Sequence, residues 1–402
     1  MAGIVVVGAG QAGASLVAKL RSLGYEDDLT LVGAEAQPPY QRPPLSKAYL
    51  LGEMEETRLY LRPESFYAEQ GIALRVDAPV TGLDTASKTI EVGGERLAYD
   101  QLALTTGAIP NRLPGALGGD LEHVYTVRTL ADIDRMSPLF KRNARVLVVG
   151  GGYIGLEAAA VASKLGLRVT LVEMAERILG RVAAPETADY FRDLHRAHGV
   201  DLREGVGLER LTGHEGQVSG AVLTDGHVLE VDFVIVGTGI RPDTRLAEAG
   251  GIACDNGIVV DALGRTSAAG VWAAGDCAVF PHRGETIRLE SVQNAIDQAE
   301  AVAANMLGAE AAYVPKPWFW SDQYDVKLQI AGLNTGYDRV VARKGDGALS
   351  HWYYAGETLL AVDAMNAPRD YMVGKRLIEG GKSPAGDVIA DPDTDLKALL
   401  KA

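Results

Sequence analysis

Two glycine-rich runs have the residue types and spacing to bind a phosphate. "GAGQAG" sets Gly8, Gly10 and Gly13 behind the apolar run "IVVV", and "GGGYIG" sets Gly150, Gly152 and Gly155 behind "RVLVV". In a strand–turn–helix setting the first glycine makes the turn and the second lets backbone approach a pyrophosphate. The third lets the helix pack closely on the strand. The anion then rests on the positive end of the helix. A candidate ribose carboxylate follows each run. Glu173 ends "VTLVE", 23 residues after Gly150, where it can accept both hydroxyls of an adenosine ribose. It would repel a 2′-phosphate, which favours NAD over NADP, a preference tempered by Arg177 and Arg181 nearby. In the first copy the candidate is Glu35, two residues past its strand, which reads equally well as a solvated loop carboxylate. Glu157, two residues after Gly155, has only Ser15 as its counterpart. An acidic residue that early in a helix can simply complement the helix dipole.

The elements that must position these residues repeat. "ASLVAKLRSLG" has helical periodicity and "DLTLVG" reads as the next strand, giving a βαβ unit. "YDQLALTTGA" reads as a buried strand running into a turn. The pattern restarts at Arg145 with a helix through Leu165 and the strand "RVTLVE", and "VDFVIVGTGI" mirrors the earlier turn. "VWAAGDCAVF" and a helix over 291–307 follow. After the proline-flanked "YVPKPWFWSDQYD", the strands "KLQIAG", "RVVAR" and "LLAVDAM" precede helices, as in a separate α+β domain. The expected fold class is therefore α/β, with two Rossmann-like dinucleotide-binding domains and a C-terminal α+β domain. Two bound NAD molecules would have no joint chemistry, whereas a flavin and a nicotinamide exchange a hydride.

Composition narrows the partners. The 402 residues carry a net charge of −14, against general nucleic-acid or anionic-membrane binding. Two cysteines, Cys254 and Cys277, form no C-x-x-C and fit a reducing cytoplasm. The apolar start lacks a basic region, its first charge being Lys19, and does not read as a signal peptide. No apolar run reaches the length of a membrane span. His195 and His198 could share a helix face, but their charged neighbours read as a solvated face, and no metal is expected.

"GAGQAG", "PPYQRPPLSKAYL", "TTGA", "GGGYIGLEAA", "VGTGIRP", "GVWAAGDCA" and "ESVQNAIDQA" fall in the order of the flavin-dependent pyridine-nucleotide oxidoreductases. "RPPLSK" and "PWFWSDQYDVKLQIAG" narrow the resemblance to ferredoxin reductases of the putidaredoxin reductase type, over nearly the whole chain. The resemblance implies an FAD-binding domain in two parts, 1–109 and 241–316, an NAD-binding domain over 110–240 and a C-terminal domain over 317–402. It implies FAD contacts from Arg42, Lys47, Thr106, Gly107, Asp276, Ser291, Val292 and Trp320, and places Tyr153, Ile154 and Gly239 with Glu173 and Arg181 around NADH. Thr105 stands where the family has alanine. Lys47 and Glu157 would pair beside the flavin N5, and Trp320 would lie near the isoalloxazine or else anchor the C-terminal domain.

The resemblance also suggests where the electrons go. Disulfide-reducing relatives carry a cysteine pair beside the flavin, but here no cysteine precedes Cys254, and Cys277 reads as a small buried residue. Electrons are then expected to pass to an external [2Fe–2S] ferredoxin, bound transiently, which feeds an oxygenase. A rubredoxin, a small acceptor such as a quinone or oxygen, and an NADH-sensing interaction role are the alternatives. Arg288, Lys316, Arg177 and Arg192 are candidate docking cations for an acidic partner, and the expected state is a monomer or weak homodimer.

Overall fold

The computed structural model describes residues 2–401. By contacts the chain divides into two units. The first holds the residues up to Arg42, Glu55–Ile109 and Ile240–Pro317, and the second holds Pro43–Met54, Pro110–Gly239 and the chain from Trp318 on.

The first unit is built on a parallel sheet in the order Val271–Ala273, Gln101–Leu104, Ile4–Val7, Leu29–Val32, Ile72–Arg75. Its central strand is buried throughout because both faces are covered. Period-two alternation sends Ile4 and Val6 to one side and Val5 and Val7 to the other. On the first side the helices Gln11–Ser22 and Val292–Met306 close a core of Leu16, Val17, Leu20, Ala299, Val302 and Ala303. On the second side lie Ile90 and Val92 of an antiparallel sheet, Val80–Asp84, Thr89–Val92 and Glu95–Ala98.

The second unit repeats the parallel design in the order Asp201–Glu204, Arg168–Glu173, Arg145–Val149, Phe233–Val236, Val124–Thr126. The helix Tyr153–Lys164 follows its central strand. The same unit contains an antiparallel sheet in the order Trp318–Gln323, Val326–Gly332, Thr358–Met365, Leu349–Ala355, Arg339–Lys344. The helix Pro368–Glu379 buries Val373 and Leu377 in its core. Arg343 pins the following segment by donating to the carbonyls of Ile389, Asp391, Pro392 and Thr394.

The helix Pro185–Ala197 corrects one sequence expectation. Its buried stripe is Thr187, Ala188, Phe191 and His195, a spacing that puts His195 on the packed face rather than in solvent. His195 is fully buried, while His198 is exposed and stacks on Tyr324 at 3.7 Å. Of the charged residues around His195 in sequence, Asp193 and Arg196 are exposed, and Arg192 is held by Glu204 and Asp189. Among the described residues no group of three or more His, Cys, Asp or Glu could hold a metal ion. Among the same residues no helix is long and apolar enough to cross a membrane.

At the other end of that helix, Thr187 meets a buried polar cluster. Its hydroxyl donates to Asp363 at 2.9 Å and lies 2.8 Å from His351 Nδ1, and the Tyr353 hydroxyl also donates to Asp363. Burial pushes the Asp363 carboxyl up to about 6 and His351 down to about 4. The two residues therefore act on stability in opposite directions. The folded state holds a proton on Asp363 that the unfolded chain releases from about pH 4, so stability falls as pH rises through that window, by about 3 kcal/mol once complete. His351 contributes stability above its ordinary value that is lost as pH falls toward about 4. Asp363→Asn should thus gain in melting temperature relative to the parent from pH 4 to pH 7. A pH-independent difference between the two melting curves would contradict this assignment.

Candidate functional site

Both glycine runs form the same cradle. Gly8 (φ +113) and Gly150 (φ +108) adopt a backbone conformation that favours glycine, and a Cβ there would lie 2.2 Å from the Thr105 carbonyl oxygen and 2.5 Å from that of Gly237. A Cβ at Gly13 or Gly155 would lie 2.0 Å from the carbonyl oxygen of Gly8 or Gly150, so the helix can sit this close only with glycine. The middle glycines differ. A Cβ at Gly10 or Gly152 would meet nothing within 4 Å, and each caps a 12-residue helix with no side-chain hydrogen bond to its first turn. Open space above uncapped N–H groups is what a dinucleotide pyrophosphate requires, so the residues present fit the group.

In the first unit, the partly exposed Glu35 pairs with Arg42 and accepts from the Tyr40 hydroxyl. Arg42 also feels the charge of Asp276, which ties the loop to the "AAGDCA" turn. Thr105, the departure from the family pattern, turns its hydroxyl inward, 2.8 Å from the Gly8 carbonyl and 3.1 Å from that of Val7. It thereby fastens the first cradle to the neighbouring strand. Thr106 donates to the Asp243 carbonyl at 2.6 Å, and the Gly107 carbonyl accepts from the Asp243 N–H at 2.9 Å. Ser291 caps the helix that starts at Val292 by accepting from the Asn294 N–H at 3.1 Å. Cys277 is fully buried, and burial pushes its thiol up, away from the reactive thiolate.

In the second unit, Glu173 accepts from the Gly151 N–H at 2.7 Å and the Ala175 N–H at 2.8 Å. Its carboxylate is thereby fixed at the strand end with acceptor capacity left over. The Arg181 guanidinium lies beside Gly239, where a Cβ would be 3.4 Å from it. Ile154 is exposed on the first turn of the helix, and the Tyr153 hydroxyl is buried without a partner while its ring packs on Phe319 at 4.9 Å.

Glu157 is 3% exposed, on the core side of its helix rather than at a solvated dipole position. Lys47 reaches it from the turn Leu45–Tyr49, with Nζ 2.9 Å from Oε1. Ser321 Oγ donates to Oε1 at 2.8 Å and Ser46 Oγ to Oε2 at 3.2 Å. Burial pushes the Glu157 carboxyl up, while Lys47 and the two hydroxyls pull it down. Trp320 is half-buried with its ring 5.5 Å from that of Trp318. Being one residue from Ser321 in the strand Trp318–Gln323, it points to the opposite face from the Glu157 cluster.

Sequence reasoning missed Ser46, Ser321, Gln323 and the burial of His195. The available signal was the polar run Ser321, Asp322, Gln323 that follows Trp318, Phe319 and Trp320 in one strand, where period-two alternation puts Ser321 and Gln323 on the same face.

Residues 2–299 match the family model described as pyridine nucleotide-disulphide oxidoreductase, and residues 318–400 match the model described as reductase C-terminal. The chain is 42% identical over 406 residues to the 5,5′-dehydrodivanillate O-demethylase ferredoxin reductase subunit of Sphingobium sp., covering 99% of this chain and 98% of the relative. Among solved structures it is similar to the ferredoxin reductase for the CYP199A2 system from Rhodopseudomonas palustris, with 38% identity, a TM-score of 0.96 and full coverage of both chains. It is also similar to the reductase in the covalent putidaredoxin reductase–putidaredoxin complex, with 37% identity, a TM-score of 0.95, and 99% and 98% of the two chains covered.

Proposed function

Because the chain belongs to the pyridine nucleotide-disulphide oxidoreductase family, we propose that it is an NADH-dependent, FAD-containing ferredoxin reductase that supplies a [2Fe–2S] ferredoxin, and through it an oxygenase. The observation that carries this reading is the near-complete likeness, over 99% of the chain, to a reductase solved in complex with its putidaredoxin partner. The absence of any cysteine before Cys254 supports electron exit without a protein thiol.

When bound, FAD supplies the exchange between a hydride and single electrons. The protein's own task is to bind, align and exclude water. Gly8, Gly10 and Gly13 serve the FAD pyrophosphate, with Glu35, Arg42, Thr106, Gly107, Asp276, Ser291 and Val292 assigned to the rest of that cofactor. Gly150, Gly152 and Gly155 serve the NADH pyrophosphate, flanked by Tyr153, Ile154, Arg181 and Gly239. Glu173 takes the adenosine ribose hydroxyls. Lys47 and Glu157 would hold the reactive edge of the bound flavin, and Trp320 would lie against its ring.

NADH-driven reduction of a [2Fe–2S] ferredoxin, followed by its visible absorbance, tests the reading; a yellow holoprotein that reduces none would overturn it. Glu173→Ala should raise KM for NADH by about a hundredfold, the worth of two hydrogen bonds to a charged acceptor, while leaving NADPH use unchanged. A parent protein that prefers NADPH would contradict the nucleotide assignment.

A further inference from the structure

Beyond Lys47, the Glu157 carboxylate is the end of a longer chain of hydrogen bonds whose direction is fixed link by link. Ser321 Oγ donates to Glu157 at 2.8 Å, which uses its one proton, so it must accept from Gln323 Nε2 at 3.2 Å. That sets the amide of Gln323, whose Oε1 then accepts from His195 Nε2 at 2.8 Å. With Nε2 carrying the proton, neutral His195 offers Nδ1 as an acceptor, and Tyr324 OH stands 3.2 Å from it. Ser321, Gln323 and His195 are fully buried, so the links from His195 inward to Glu157 are closed to solvent, while the outer link to the Tyr324 hydroxyl is part-buried. The outer end is held at a cost: Tyr324 sits at φ +56 in a two-residue hairpin tip, a conformation unfavourable for a bulky side chain. There its ring stacks on the exposed His198 at 3.7 Å.

We propose that Tyr324, His195, Gln323 and Ser321 form a positioning chain that aims four donors in one direction onto Glu157, keeping its carboxylate ionised opposite Lys47. The inference rests on the role given to Glu157 above. The chain is not a proton wire: an amide passes a proton only by becoming an imidic acid, so Gln323 transmits orientation and blocks transfer. Burial drives His195 down to about 4, which keeps it neutral, and of the tautomer this geometry requires, over the working pH range. Lys47 faces Glu157 from the turn Leu45–Tyr49, Ser46 and Ser321 supply the hydroxyls, and His198 and Tyr324 face His195.

The test uses the holoprotein. Anaerobic flavin reduction by NADH is timed across pH in the parent, Gln323→Leu, Tyr324→Phe and Glu157→Gln, alongside NAD affinity. Gln323→Leu removes the donor that orients Ser321, and the Ser321 hydroxyl, free to turn away from the Glu157 carboxylate, should shift the acid limb of the rate profile upward by about one pH unit. The shift should be smaller in Tyr324→Phe, with NAD affinity within about twofold of the parent in both. Redox-difference infrared spectra should show a carboxylic-acid C=O stretch in Gln323→Leu that disappears in the double variant with Glu157→Gln. If both chain variants keep the parent's profile while Glu157→Gln loses its acid limb, the chain is packing only and the inference is overturned, with the role of Glu157 intact. If Glu157→Gln itself keeps the parent's profile, that role fails and the inference with it. Nitrogen NMR of His195 in the unaltered protein decides independently of any variant: the Nε2–H tautomer supports the chain, and Nδ1–H overturns it.

Discussion

Gly10→Asp is expected to give a folded but colourless protein, and Gly152→Asp a yellow one that NADH no longer reduces. Neither position resists a side chain. A Cβ would meet nothing within 4 Å, and both residues have negative φ and extended backbone, at φ −94, ψ −160 and φ −81, ψ 178. Aspartate is also a good N-cap residue, so each variant should melt no lower than the parent stripped of cofactors. The new carboxylate would occupy the place of the pyrophosphate and repel it. A like-charge pair about 4 Å apart costs on the order of 4 kcal/mol at an effective dielectric of 20, about a thousandfold in affinity. Intact stability with lost binding is the signature of a ligand cradle. Loss of both would mean that Gly10 and Gly152 serve only the fold.

Replacing Glu157 with glutamine should slow flavin reduction by NADH about a hundredfold, the usual effect of deleting one preorganised electrostatic partner at a reacting centre. Glutamine keeps the volume and can still accept from Ser321, but Lys47 loses its counter-charge 2.9 Å away. The dissociation constant for NAD should change by less than about threefold, because the role proposed for Glu157 lies in the step rather than in ground-state binding. Stopped-flow reduction and equilibrium titration separate the two. A parallel fall in rate and affinity would return Glu157 to a purely structural role.

What could be read from the chain follows from how local each requirement is. The two cradles were legible because a turn with φ above +100° and a helix packed on its own strand leave only glycine possible at Gly8, Gly13, Gly150 and Gly155. Glu173 was legible because strand length fixes its distance from Gly150. The Lys47–Glu157 pair was reached by resemblance alone, since no periodicity links residues on a broken turn and a helix so far apart in sequence. His195 misled because Arg192, Asp193 and Arg196 around it are charged, although Asp193 and Arg196 turn to solvent, Glu204 neutralises Arg192, and Gln323, from a distant strand, satisfies the ring. Glu35 and Arg42, each readable as a loop charge, satisfy one another, a pairing that depends on the loop's fold rather than on any local pattern. The Arg343 clamp on four carbonyls leaves no mark in sequence, because backbone acceptors have no residue type.

The most direct test of the account is to reduce the purified yellow protein anaerobically with NADH and mix it with a [2Fe–2S] ferredoxin, a rubredoxin, a quinone or oxygen in separate shots. Flavin reoxidation should be fastest with the ferredoxin, whose reduced spectrum appears as the flavin band returns. Reoxidation by oxygen or quinone as fast as by the ferredoxin would contradict the assignment of a carrier protein as the electron acceptor.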